Sequence, residues 1–328
     1  MRFIKNIARF IGISALVYLA ISFTLVFWKV PSRKQIENYD FSALKEVVKG
    51  NSEERWLTLR DDLKLFYRFY PAEANCTFIF VHGSGSESRY LENFASFMSD
   101  KKFARVITPD LRGHGRTSKV KGDIDYLGQY EDDLEDIIRF IKATYPGDKI
   151  ILGGHSSGGG LALRYAGNEA VSKVDACVLF APYLGHEAPT VKPNSGEWVT
   201  VAIKRFVGLA MLNNVKISNF NHLPVLFFNR PTEWEDELQT QSYSYRLTMS
   251  YQPKNYIQDI KNNEVPTLVL VGEIDESFHA AQFSIVFKDA PASVVKQIRD
   301  TNHMEIVSKQ EVKDAFSEWH DKLNWLNN

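Results

Sequence analysis

The residues most able to do chemistry are Gly154-His155-Ser156-Ser157-Gly158, set between an apolar run at 149–153 and the helix formers Leu161-Ala162-Leu163-Arg164-Tyr165. Strand, G-x-S-x-G, helix is the pattern of a nucleophile elbow, in which a sharp turn presents a serine at the end of a sheet. Glycines are needed there because strand and helix must pass close together. A Gly-rich strand-to-helix turn can also cradle phosphate, but neither Gly-Lys-Ser/Thr nor the G-x-G-x-x-G spacing occurs here. Ser156 is therefore the candidate nucleophile.

A serine hydroxyl needs a base to take its proton, and the base needs a carboxylate to hold its tautomer. After the apolar run 266–271 comes Gly272-Glu273-Ile274-Asp275, and after 294–298 comes Asp300-Thr301-Asn302-His303. Both are short polar loops at strand ends, and the order Ser, Asp, His is the one the elbow demands. Asp275 is the candidate acid, with Glu273 its rival, and His303 is the candidate base. His320 sits in an amphipathic C-terminal stretch, where packing is the commoner role. An oxyanion needs preorganised donors. The N–H of Ser157 is expected to be one and that of Ser84, in His82-Gly83-Ser84-Gly85 after the run 76–81, the other. His82 reads as a structural residue of that turn. His114, His186, His222 and His279 lack paired metal spacing, so neither a metal nor a cofactor is expected.

Such residues must be held by a sheet. Short β-branched and aromatic runs at 76–82, 104–109, 149–153, 176–180, 267–271 and 294–298 alternate with helical patterns, which predicts α/β architecture with a mostly parallel sheet covered on both faces. The stretch 130–144 has helical periodicity, and its acids Glu131, Asp132, Asp133, Glu135 and Asp136 read as a solvated face. From 185 to 251 the alternation lapses into a long aromatic-rich insertion with no strand of the same kind. It contains an apolar helical pattern, 198–212, and the acids Glu233, Glu235, Asp236 and Glu237.

With 328 residues and 44% hydrophobic composition the chain can bury a large core, and its net charge of -1 offers no field for nucleic acid. Cys76 and Cys177 make no disulfide framework and read as small core residues. Residues 10–28 are uncharged, close to the ~20 that a membrane-crossing helix needs. The segment is read as an uncleaved anchor, because it exceeds a signal-peptide core and no small-x-small cleavage site follows. Basic residues flank both ends, and the N-terminus is placed inside with the catalytic part across the membrane. The expected organisation is a basic flank 1–9, an anchor 10–28, a stalk 29–50, a core formed by 51–184 and 252–328, and an insertion 185–251.

These residues resemble the α/β-hydrolase superfamily, in its branch of monoglyceride lipases, lysophospholipases and serine aminopeptidase-like hydrolases. The resemblance covers most of the chain from Trp56 onward. It rests on His82-Gly83-Ser84-Gly85, on Asp110-Leu111-Arg112-Gly113-His114-Gly115, on the elbow, and on the Asp275 and His303 loops. It implies that the Asp-x-Arg-Gly-His-Gly stretch is structural and that 185–251 is a helical cap over the site. It also implies a carboxylic ester substrate, small or lipid, of acylglycerol or lysophospholipid type. Ser84-Gly85-Ser86-Glu87 departs from the Gly-Glu-His form of monoglyceride lipases, so the exact ester stays open. An aminopeptidase, with the cap acids holding an α-amino group, and a catalytically silent binding scaffold are the alternatives.

Overall fold

The computed structural model describes residues 1–34, 36, 39, 40 and 50–323; most of the expected stalk, including 41–49, lies outside them. The chain after the N-terminal helix α1 (Arg2–Val26) opens with an antiparallel pair, β1 (Glu53–Thr58) and β2 (Lys64–Tyr70). There follow β3 (Cys76–Val81), α2 (Glu92–Asp100), β4 (Arg105–Pro109), α3 (Gln129–Thr144), β5 (Lys149–His155), α4 (Ser157–Ala166) and β6 (Ala176–Phe180). An eight-stranded sheet results, in the order β1-β2-β4-β3-β5-β6 and then β10 (Thr267–Gly272) and β11 (Ser293–Ile298). From β4 to β11 every pairing in it is parallel. The expected parallel strands all form. The β2 strand was not anticipated, and it pairs antiparallel with both neighbours.

Every residue of β3 and β6 is buried, as strands covered on both faces require. One face packs on α2 and on α9 (Gln310–His320) through Phe80, Phe94, Phe180 and Phe316, whose neighbouring rings lie 4.8–5.8 Å apart. Cys76 and Cys177 are free and buried in strands. After the insertion the chain adds α7 (Tyr256–Asn262) before β10 and α8 (Ala280–Val286) between β10 and β11.

Between β6 and α7 the chain is not only helical. It forms a second sheet, β7 (Val199–Val201), β8 (Pro224–Phe228) and β9 (Ser242–Ser244), antiparallel throughout, with α5 (Ile203–Asn214) and α6 (Tyr245–Tyr251). The pattern at 198–212 thus divides into a strand and a helix, because Val199, Thr200 and Val201 pair with Phe228, Phe227 and Leu226. An 18-residue window of the α1 helix has a mean hydropathy of 1.9, and the helix is long and apolar enough to cross a membrane. It begins at Arg2 and ends at Val26, and its last turns are docked on α5. A Cβ on Gly208 would lie 2.7 Å from the Val26 nitrogen and 2.8 Å from the Ser22 carbonyl oxygen. Tyr18 donates to the Met211 carbonyl (2.9 Å), and Arg205 donates to that of Val26 (3.0 Å).

The acidic residues of α3 are not a solvated face. Asp133 and Asp136 are buried, and Glu131 and Glu135 are engaged by Arg164 and Tyr165. Asp133 takes a bidentate pair from Arg112 (3.0 and 2.8 Å), which also binds Asp61, so α3 is pinned to the Arg-Gly-His-Gly turn by charge. Burial raises the Asp133 pKa to about 6 against the opposing pull of Arg112. Arg112→Ala should therefore destabilise the fold by about 3–5 kcal/mol by stranding a buried carboxylate. Denaturant unfolding checks this, and Arg112→Met with Asp133→Leu should restore most of the loss.

Candidate active site

The β5 strand runs on through Gly154 and His155, so Ser156 stands at the turn itself, with φ 55° and ψ −120°. The backbone is locked there: Ser156 N–H donates to the Phe180 carbonyl (2.8 Å), and its own carbonyl accepts from Gly160 (3.1 Å) and Tyr183 (2.9 Å). A Cβ at Gly154 would fall 2.3 Å from the Gly158 backbone, and one at Gly158 would fall 2.4 Å from the His82 carbonyl oxygen. The motif glycines are thus a condition of the turn.

Asp275 and His303 meet at the C-terminal ends of β10 and β11. His303 Nδ1 donates to Asp275 Oδ2 at 2.8 Å, which leaves the lone pair on Nε2. Asp275 is fully buried, and its other oxygen accepts the N–H groups of Ser277 (2.8 Å) and Phe278 (2.9 Å). Glu273 is exposed and takes no part. His303, Ser156, Ser84 and Trp198 line one small cavity, and the last three also line a neighbouring one with Ser157, Phe228, Tyr243, Tyr251 and Phe278. The N–H groups of Ser84 and Ser157 donate to no protein acceptor among the described residues. Burial lowers the His303 pKa, but the Asp275 carboxylate, by charge and hydrogen bond, with Glu276 adding to it, carries it above 6.5.

The other histidines fall elsewhere. His82 accepts the Leu111 N–H on Nε2 (3.1 Å) and bonds the Gly83 carbonyl through Nδ1 (2.9 Å). His114 bridges the Arg112 carbonyl and the Tyr243 hydroxyl, and burial lowers its pKa. His186, His222 and His279 are exposed, and His320 packs on Phe103 and Phe316. Among the described residues no group of three or more His, Cys, Asp or Glu is placed to hold a metal.

Two residues near His303 were not foreseen. Glu276 accepts the His303 N–H (2.8 Å), and His155 Nε2 donates to the His303 carbonyl (3.0 Å) while Tyr90 bonds its Nδ1 (2.9 Å). His155 had a signal, its place inside the elbow; Glu276 had none. Tyr39, in the segment read as stalk, lies edge-on to the His303 ring at 6.2 Å and donates to the Ser195 carbonyl (2.8 Å). Glu235 and Asp236 are spent on Arg33 and Arg89, and neither lines the cavity.

A parallel sheet bearing a strained serine after its fifth strand, with a buried Asp-His pair at the ends of its last two, defines an α/β-hydrolase. The chain belongs to the serine aminopeptidase S33 family, whose profile matches residues 72–304. It is 32% identical over 107 residues to a monoglyceride lipase homolog of Monkeypox virus, a match covering 33% of this chain and 38% of the viral protein. It is 24% identical over 289 residues to a proline iminopeptidase of Saccharolobus solfataricus, covering 81% and 91% of the two chains. A solved structure of a soluble variant of Saccharomyces cerevisiae monoglyceride lipase with a substrate analog superposes with a TM-score of 0.64. That likeness, at 18% identity over 86% of this chain and 96% of the yeast one, bears on the fold.

Only a neutral imidazole can accept a proton, so fluorophosphonate labelling assisted by His303 should fall away in acid with a midpoint above 6.5. The labelling rate measured against pH checks this; a midpoint at or below 6.5 contradicts it.

Proposed function

We propose that the protein is a membrane-anchored serine hydrolase that cleaves carboxylic esters of single-chain lipids, of acylglycerol or lysophospholipid type. In this reading Ser156 Oγ attacks the ester carbonyl as His303 Nε2 takes its proton, and Asp275 holds the imidazole. The N–H groups of Ser84 and Ser157 receive the oxyanion. Collapse breaks the C–O bond, and the alcohol leaves with the proton from His303. Water, deprotonated by His303, then releases the acid from acyl-Ser156. The reaction uses no cofactor.

The observation that carries the reading is the Asp275–His303 pair, whose imidazole shares a small cavity with Ser156, beside a larger space that Ser156 also lines, walled by Tyr183, Trp198, Leu226, Phe228 and Phe278. Through Tyr183, Val199, Leu226, Thr248 and Gln252 it adjoins a second cavity of about 390 Å³, which reaches Val201, Ile203 and Phe206. This suits one acyl chain, and the names of the viral and yeast relatives agree with it. We take 185–251 as the cap, 51–184 with 252–328 as the core, and 10–28 as the anchor, with the core on the far side of the membrane from the N-terminus. Peptide cleavage has support in the family's name and in the proline iminopeptidase relative. It would call for a carboxylate beside Ser156, a place neither Glu235 nor Asp236 occupies.

The wild-type protein should hydrolyse p-nitrophenyl acyl esters in preference to aminoacyl amides and be labelled by fluorophosphonate at Ser156, with Ser156→Ala losing both. Labelling at Ser157, or amide turnover exceeding ester turnover, would refute the proposal. Deleting residues before about Pro31 should leave the rate on short soluble esters unchanged and lower it on bilayer-embedded monoacylglycerol, because tethering raises the effective concentration. Equal rates on embedded ester with and without the segment would refute the anchoring role.

A further inference from the structure

The loop expected to supply the oxyanion N–H of Ser84 is held in place largely by the insertion. Gly85 N–H donates to the Tyr243 hydroxyl at 2.7 Å, and the Gly85 carbonyl accepts from Thr240 N–H at 3.0 Å and Arg230 Nη1 at 3.1 Å. Arg230 Nη2 also donates to Ser86 Oγ at 3.0 Å. Gly85 has φ +70°, and a Cβ on it would lie 2.9 Å from the Phe228 ring, so that ring closes over the loop. Both groups flanking Ser84 on its C-terminal side thus take their geometry from residues between β6 and α7.

Arg230 is the unusual member. The residue is 8% exposed, and no carboxylate among the described residues lies within ion-pair distance of it. Its partners are neutral: the Gly85 carbonyl, Ser86 Oγ and Gln239 Oε1 (2.6 Å), with the Trp198 ring 5.3 Å away. Burying a guanidinium without a counter-ion is expensive. Burial pulls its pKa down to about 10, although Glu235, Tyr243, Asp236 and Glu87 push the other way. Such a charge suits a place where negative charge arises only transiently nearby, and its planar fork can fix two acceptors of one loop at once.

We infer that Arg230 and Tyr243 are positioning residues that set the Ser84 N–H for the oxyanion, so that seating of the insertion and assembly of the oxyanion hole are one event. The inference rests on the proposed serine-ester mechanism. Arg230 acts through Gly85 and Ser86, so its loss should be felt in the transition state far more than in the bound ester.

The experiment uses the full chain with a short p-nitrophenyl ester, and with a trifluoromethyl ketone whose hemiketal on Ser156 carries a stable oxyanion. Arg230→Met should lower kcat by about 10²-fold, the scale of one lost oxyanion donor, with KM within about twofold of wild type. Arg230→Lys, which keeps the charge but not the fork, should fall between the two. Tyr243→Phe deletes one hydroxyl and nothing else of the ring, and it should lower kcat by about tenfold or more. Across the series the ketone's inhibition constant should rise in proportion to the fall in kcat/KM, a correlation that general loosening of the fold would not produce. Arg230→Met and Tyr243→Phe with kcat intact, or with only KM raised, would overturn the inference while leaving the serine mechanism standing. A wild-type protein inert to both ester and ketone would overturn the mechanism itself.

Discussion

Ser156 can occupy its strained turn only because Gly154 and Gly158 allow strand, helix and the His82 carbonyl to approach within contacts no side chain would tolerate. A left-handed non-glycine residue costs on the order of 1–3 kcal/mol and persists where its surroundings over-determine it. Here they do. The β5 strand lies between β3 and β6 in a parallel sheet, Phe180 receives the Ser156 N–H, and Gly160 and Tyr183 hold its carbonyl. The long parallel core is thus the frame that keeps one backbone angle from relaxing, and the loops bearing Ser84, Asp275 and His303 sit at strand ends of that same frame.

Around the Asp275–His303 pair, polar groups are fixed from several sides. The two oxygens of Asp275 are satisfied by the imidazole and two backbone N–H groups, so the carboxylate has little freedom to turn. His303 is held at its backbone as well, by Glu276 on the N–H and His155 on the carbonyl. A dry setting strengthens each of these bonds, and it also makes any unpaired member costly. The same holds on α3, where the buried Asp136 and Asp133 and the half-buried Glu131 are matched by Arg60, Arg112 and Arg164.

The parallel strands were readable because strands covered on both faces must be almost continuously apolar, and 76–81, 176–180 and 267–272 are, with only Thr77 and Thr267 polar. The elbow was readable because sterics leave glycine alone at its flanks, the Asp275 loop because it follows such a strand, and the His303 loop because it follows the shorter β-branched run that opens β11, a partly exposed strand. What escaped reading depends on partners distant in sequence. Val199–Val201 and Ser242–Ser244 are too short to show a period, and they become strands only against Pro224–Phe228. The acids on α3 carry no mark of burial until Arg112 and Arg60 arrive from other loops. Glu276, Tyr39 and Arg230 likewise act through contacts that no local spacing announces.

The packing of α1 on α5 ties the reach of that helix to the insertion. From Arg2 to Val17 the helix is exposed, 16 residues rising about 24 Å. That falls short of the ~30 Å hydrocarbon layer. A bilayer crossed by α1 must therefore also take in part of the stretch from Tyr18 to Val26, and that stretch is clasped by the insertion. The flank of α5, with Ile203, Val207 and Val215 exposed, would then sink to headgroup level instead of riding above it on a stalk. Trp28 stacks under Lys204 at that same end of α5, whose Ile203 and Phe206 line the second cavity, so the apolar helix and the proposed acyl space share one element.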